Sequence, residues 1–244
     1  MTGRFITGTS GWSYDHWREI FYPANLRSPD RLAYYASRFD SVEINNTFYR
    51  LPLEEVFIKW KETVPENFLF SLKASRYITH MKKLKDTEAA TAGFIERAKL
   101  LHHHLGPILF QLPPRWGYNG ERLGSFLSTL DPALRVAFEF RNMSWFNDEA
   151  YSILKNHGAA LCLYQMPGFE TPKIVTAPFV YIRFHGTGNL YSGSYGDEEI
   201  HRWGEIMRDF SNKGFDIYSY FNNDAEGNAV KDAGRLEKVL GRKA

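Results

Sequence analysis

The residues best suited to chemistry in this chain come in pairs two positions apart: Glu43 with Asn45, Glu139 with Arg141, and Arg183 with His185. Side chains two apart on an extended strand share a face. If that face is interior, carboxylates, guanidinia, an amine and an imidazole meet in one place. Burying them is costly unless they pair with one another or meet a ligand. Glu43 and Glu139 are candidate general bases, and His185 is a candidate acid or base near neutral pH. Lys73 joins them as a fourth catalytic candidate. For any single pair the structural alternative is an ion-pair network, such as Glu139 with Arg141 or Arg183.

Five cations, Lys73, Arg76, Lys82, Lys83 and Lys85, precede the next acid, Asp86, with His80 among them. Such a run favours an anionic ligand, above all one bearing phosphate. Arg76, Arg141 and Arg183 are read as phosphate-neutralising groups, and Asn45, Gln111, Asn222 and Asn223 as further substrate contacts. The aromatic residues Trp12, Tyr14, Tyr49 and Trp145, with Trp17, Phe48 and Phe146 nearby, form a candidate platform for a base or sugar ring. Gly186–Gly193 is a weak candidate phosphate cradle, because it lacks the Gly-Lys-Ser/Thr ending. His102-His103-His104 is a poor metal site on sequence grounds, since consecutive helical positions diverge by about 100°.

Short apolar runs must hold these groups in place. Strands are expected at Phe5–Gly8, Ser41–Ile44, Phe68–Leu72, Ile108–Leu112, Arg135–Phe140, Ala160–Leu163, Phe179–Phe184 and Asp216–Phe221. They read as strands buried on both faces. Segments of helical period separate them: Leu32/Tyr35/Phe39 after Ser28 as cap, Val56/Trp60/Val64, Phe94/Ala98/Leu101/Leu105, Leu123/Phe126/Leu127/Leu130, Tyr151/Leu154, Ile200/Trp203/Met207/Phe210 capped by Asp197, and Ala229/Ala233/Leu236/Leu240. Eight strand–helix repeats in 244 residues predict a single (β/α)8 TIM-like barrel domain over 1–244. A doubly wound sheet is the runner-up, disfavoured because no Gly-x-Gly-x-x-Gly follows the first strand. Pro167, Pro172 and Pro178 predict a loop in place of the sixth helix. In a barrel, the polar groups above fall at the C-terminal strand ends, where barrel enzymes carry their sites.

Composition narrows the classes further. Lys and Arg number 30 against 28 Asp and Glu, so the net charge of +2 gives no global attraction to nucleic acid or an anionic membrane. The single cysteine, Cys162, forbids an internal disulfide and sits in an apolar run as a small buried hydrophobe. With no signal-like N-terminus and no apolar run of about 20 residues, a cytoplasmic location without a membrane partner is expected.

Seven motifs in order resemble the YecE-like family, domain of unknown function 72: Gly8-Thr-Ser-Gly-Trp-Ser-Tyr14, Val42-Glu-Ile-Asn-Asn-Thr-Phe-Tyr49, Phe70-Ser-Leu-Lys-Ala-Ser-Arg76, Gly106-Pro-Ile-Leu-Phe-Gln-Leu-Pro-Pro114, Ala137-Phe-Glu-Phe-Arg141, Val180-Tyr-Ile-Arg-Phe-His-Gly186 and Tyr220-Phe-Asn-Asn-Asp224. The resemblance runs from about residue 5 to residue 240. It implies a TIM barrel and brings no established activity. Its motifs fall on Glu43, Asn45, Lys73, Gln111, Glu139, Arg141, Arg183, His185, Asn222 and Asn223. Relatives often carry an acid just after the sixth strand, where this chain has Gln165, which puts any acid or ligand role there in doubt.

The expected function is an enzyme, a hydrolase among the options, acting on a phosphate-bearing nucleotide, nucleic acid or phosphosugar. No cofactor is expected, although Glu43, Glu139 and His185 would suit a divalent metal. Two alternatives stand beside it. One is a glycoside-active enzyme using Glu43 and Glu139 as its carboxylate pair, and the other is a binder of ligand or nucleic acid without turnover. Substrate, reaction and oligomeric state stay open.

Overall fold

The computed structural model describes residues 2–188 and 191–242. Its strands are β1 (Phe5–Ser10), β2 (Ser41–Ile44), β3 (Leu69–Lys73), β4 (Leu105–Gln111), β5 (Val136–Glu139), β6 (Ala160–Met166), β7 (Phe169–Glu170), β8 (Phe179–Phe184) and β9 (Asp216–Phe221). All except β7 run parallel, each beside its neighbour, and the β5–β6 pairing closes the ring into an eight-stranded barrel. β7 folds back antiparallel on β6. Around the ring lie α1 (Arg31–Ala36), α2 (Asn46–Tyr49), α3 (Glu54–Thr63), α4 (Glu88–Lys99), α5 (Gly120–Ser128), α6 (Asp148–Asn156), α7 (Asp197–Asn212) and α8 (Asn228–Val239). Between β6 and β8 only β7 and a loop occur, where Pro172 and Pro178 withhold backbone donors. No helix of the described residues is long and apolar enough to cross a membrane.

The strands look continuously apolar because they bury both faces, yet strict alternation sorts them. Val42, Ile44, Phe70, Leu72, Phe110, Phe138, Leu163, Ile182 and Phe221 join the large cluster under the helices. Their neighbours in sequence, including Leu109, Ala137, Cys162, Phe179, Tyr181 and Tyr220, form a second cluster that fills the barrel. Cys162 is a buried free thiol in this interior, as its apolar context predicts.

Three local expectations change. α4 ends at Lys99, so Leu105 opens β4 instead of closing a helix; a short turn at His102–His104 lies between. Asp197 does not cap α7: Gly196 holds the cap position, and the Asp197 carboxylate pairs with Arg235 at 2.7 Å. Ser28 likewise caps nothing, since it opens a 3-10 turn without a side-chain capping bond.

Polar groups run up the interior in a hydrogen-bonded chain. The Ser41 hydroxyl donates to the Leu69 carbonyl at 2.8 Å. Ser41 and Ser71 hydroxyls each lie 2.7 Å from the Tyr220 hydroxyl. With the Ser41 proton committed, Tyr220 donates to Ser41 and accepts from Ser71, so one phenol links β2, β3 and β9. Tyr220→Phe strands the Ser71 hydroxyl in a dry interior, and equilibrium urea unfolding is expected to show a loss of about 1–3 kcal/mol; an unchanged midpoint would contradict this role.

Candidate functional site

The alternation that separates the two apolar clusters also decides which polar residues face inward. Ser41, Glu43 and Asn45 share one parity, as do Ala137, Glu139 and Arg141, Tyr181, Arg183 and His185, and Tyr218, Tyr220 and Asn222. Above the apolar filling, Arg183 sits between two carboxylates. Its Nη2 donates to Glu43 Oε1 at 2.7 Å and its Nη1 to Glu139 Oε2 at 2.6 Å. Glu43 also accepts from Ser10 Oγ at 2.6 Å and from the Tyr181 hydroxyl at 2.7 Å. Glu139 accepts from Gln111 Nε2 at 2.8 Å and from Arg141 Nε. Glu43, Glu139, Arg183 and His185 are fully buried.

Burial alone would raise both carboxyls. Arg183, with the Ser10 and Tyr181 hydroxyls, outweighs it and lowers Glu43. Arg141 and Arg183 together hold Glu139 well below the usual carboxylate range. Carboxylates held in the charged form by guanidinium and hydroxyl donors are weakened as bases. Neither do they invite a metal: guanidinium, hydroxyl and amide donors already occupy their oxygens. The pairing foreseen as the structural alternative is what these residues form.

Nearer the opening lies a second layer. Arg141 Nη2 donates to His185 Nε2 at 2.8 Å, and the Arg141 guanidinium stacks 4.9 Å over the Tyr164 ring. Two demands meet on the His185 ring: the Arg141 guanidinium only donates to Nε2, yet Glu139 Oε1 lies 3.3 Å from that same nitrogen, and Asn222 Nδ2, also a donor, lies 3.3 Å from Nδ1. Burial lowers the His185 pKa to about 4, so the ring is neutral at pH 7. The Lys73 ammonium lies 4.4 Å over the Phe48 ring. It has no hydrogen-bond or ion-pair partner among the described residues, and burial with Arg183 nearby lowers its pKa to about 8. His80 stacks edge-on to Phe48 at 4.9 Å. Burial, with Lys73 and Arg76 close by, lowers it to about 4.

A cleft of about 440 Å³ adjoins this layer, lined by Trp12, Tyr14, Asn45 and Trp60 among others. Trp12 meets Trp60 edge-on at 5.5 Å. Tyr14 donates to the Ser10 carbonyl at 2.6 Å, which fixes its ring. The buried Asn45 Oδ1 has no partner. Tyr49 is 72% exposed at the edge of Phe48, and Arg76 is exposed on the rim.

Other expected contacts lie elsewhere. Trp145 is fully buried, stacked on Phe140 at 4.9 Å and donating to the Trp116 carbonyl at 2.8 Å. It belongs to the packing beneath the helices and offers no platform. Asn223 has the opposite parity to Asn222 and points toward α8, donating to Asp232 Oδ2 and the Gly193 carbonyl, each at 2.8 Å. Its task is to moor the loop after β8. Gln165 also points outward, accepting from Trp203 Nε1 at 2.9 Å and donating to Glu199. It stands off the charged cluster altogether. Part of the glycine-rich loop, Asn189 and Leu190, lies outside the described residues. The amides of Gly186, Thr187 and Gly188 already donate to the Tyr195 hydroxyl and the Ser192 carbonyl, so they are not free to cradle phosphate. Lys82 and Lys85 are exposed, and Lys85 borders a different groove beside α5. Sequence reading passed over Ser10, Tyr164, Tyr181 and a mouth role for His80; for Ser10 and Tyr164 the missed signal was inward parity on their strands.

Residues 6–244 match the family model described as "Protein of unknown function DUF72". The chain is 25% identical to the UPF0759 protein YunF of Bacillus subtilis over 266 aligned positions, covering 96% of this chain and 93% of YunF. It is 29% identical to the UPF0759 protein YecE of Escherichia coli K12 over 140 positions, which cover 57% of this chain and 49% of YecE. A DUF72 family protein from Thermotoga maritima superposes with a TM-score of 0.89 at 28% identity, covering 98% of this chain and 100% of that one. PbGH5A, a glycoside hydrolase family 5 enzyme from Prevotella bryantii B14, reaches a TM-score of 0.53 at 9% identity over 98% of this chain and 96% of that one, a likeness of fold alone. The barrel and the match along nearly its whole length lead to one assignment: this chain belongs to the DUF72 family.

Proposed function

We propose that the barrel mouth binds a small molecule or nucleic-acid segment bearing phosphate, with the anion held by Lys73 and Arg141 and the adjoining ring by Trp12, Tyr14 and Asn45. The carrying observation is Lys73. A mostly buried ammonium with no ion-pair partner among the described residues, attracted by Glu139 and Glu43 only from beyond ion-pair distance, is unfavourable by itself, and an incoming phosphate supplies a closer charge. The unpartnered Asn45 Oδ1 beside an aromatic cleft supports a ligand hydroxyl or amino group there.

Proton transfer in this reading falls to Lys73 and His185 instead of the glutamates. Lys73 titrates near neutral pH, where an acid–base group is most useful. His185, neutral at pH 7 and held between Arg141 and Asn222, can only receive a proton in that exchange. Glu43, Glu139 and Arg183 form the platform that keeps Arg141 and His185 in place. A glycosidase needs one carboxyl held protonated, and the lowering of both Glu43 and Glu139 speaks against that chemistry.

The test is calorimetric titration with a nucleoside monophosphate, a pentose phosphate and a short oligonucleotide. Wild type is expected to bind at least one of them, and Lys73→Met to bind it about tenfold or more weakly. Because the anion favours the charged amine, affinity is expected to hold from pH 7 to 8 and to decline above pH 8, as the free ammonium loses its proton. Lys73→Met also removes an unpaired buried cation, so its ligand-free form is expected to gain about 1–3 kcal/mol at pH 7. Arg183→Met leaves two carboxylates uncompensated and is expected to lose about 3–5 kcal/mol in urea unfolding. Equal binding by wild type and Lys73→Met, or no binding by either, would remove the anion-site reading.

A further inference from the structure

The N-terminal end of the barrel, opposite the mouth, carries a group of side chains that the proposed function does not use. Glu66 precedes β3, and His103 and His104 precede β4. One ligating atom from each lies within 4.8 Å of the other two. Consecutive residues of a regular helix would diverge, but here α4 has ended and the chain turns through His102–His104 into β4. The His103 and His104 rings consequently come to 4.0 Å, centre to centre. The divergence expected from helical spacing therefore does not occur here.

The proton placement on His104 suits metal binding, and an arriving ion would displace the proton His103 shares with Glu66. The buried His104 donates Nδ1–H to the Phe68 carbonyl at 2.7 Å, which leaves its Nε2 lone pair unprotonated. A backbone carbonyl on the far nitrogen is the usual support of a metal-bound histidine. His103 Nε2 lies 3.1 Å from Glu66 Oε1, and both side chains are exposed. A tetrahedral zinc sets its donor atoms roughly 3.4 Å apart, so the exposed Glu66 and His103 side chains would turn inward from their present spacing of up to 4.8 Å to close the set. Glu66 and His103 also line a cleft of about 360 Å³ that leaves room for a water ligand. Arg4 and Arg135 on the same cleft share Asp216, at 3.1 and 3.3 Å, which cancels one of their two charges.

We propose that Glu66, His103 and His104 form a divalent transition-metal site of the zinc class, with water completing the coordination. The donor set, two imidazoles and one carboxylate, suits zinc and its neighbours and not magnesium, which prefers all-oxygen octahedra. Lying at the strand entrances, the ion ties the α3–β3 and α4–β4 connections together, and its effect is on stability.

The experiment uses tag-free protein stripped with a chelator and exchanged into metal-free buffer. Zn2+ is added in calorimetric titration, in equilibrium dialysis with elemental analysis, and in thermal melts, with Mg2+ as the control. One zinc per chain and a higher melting temperature are expected, with no effect of Mg2+. Glu66→Gln and His103→Gln, both at exposed positions, are expected to melt like the stripped wild type and to bind zinc about tenfold or more weakly. The proposal is overturned if wild type shows no saturable zinc binding, if both variants bind as wild type does, or if binding disappears instead in His185→Gln at the mouth.

Discussion

A guanidinium with no contact to water must be neutralised where it lies, and the upper half of this barrel is organised around that demand. Arg183 divides its two outer nitrogens between Glu43 and Glu139, which reach it from strands on different sides of the ring. Each carboxylate then needs donors for its remaining lone pairs, supplied by Ser10 and Tyr181 to one and by Gln111 and Arg141 to the other. Such a cluster is no bargain in stability when set against a purely apolar filling. What it gives is fixed geometry at both outer nitrogens, while the buried Arg183 Nε is left without a hydrogen-bond partner.

The consequence is a vertical order of charge. At the bottom of the cluster, two negative groups and one positive group are locked together. Arg141 brings the sum to zero, and Lys73 above it tips the opening positive. The neutral His185 adds nothing to the sum. The acids that stand out in the sequence therefore shape the site from beneath, while the group with unmet demand is the lysine. The aromatic cleft at Trp12 and Tyr14 lies beside the ends of β1 and β2.

How much of this the sequence disclosed depended on parity. Short apolar runs marked all eight barrel strands, and residues two apart correctly brought Glu43, Glu139, Arg183 and His185 to one place. The same rule, carried one residue further, separates Asn222 from Asn223 and turns Gln165 away from the cluster; a motif read as a block hides that step. Trp145 sits on no strand, so alternation says nothing of it, and only packing against Phe140 and Trp116 reveals its burial. The convergence of His103 with His104 was hidden for a related reason: helical spacing does not apply once α4 has ended. The lowered titration of Lys73 depends on how deeply its strand end is covered, which composition does not carry.

The cross-ring ion pairs also bear on the order of assembly. Arg183 and Glu43 are 140 residues apart in the chain, and Arg183 and Glu139 are 44 apart. Bringing such distant segments together carries a large loop-closure entropy, which favours local strand–helix units early and the transverse links last. Interactions absent from the folding transition state govern how fast a protein comes apart, with little influence on how fast it forms. The bridged guanidinium thus acts as a latch on the finished ring: it prolongs the lifetime of the native molecule more than it hastens its arrival.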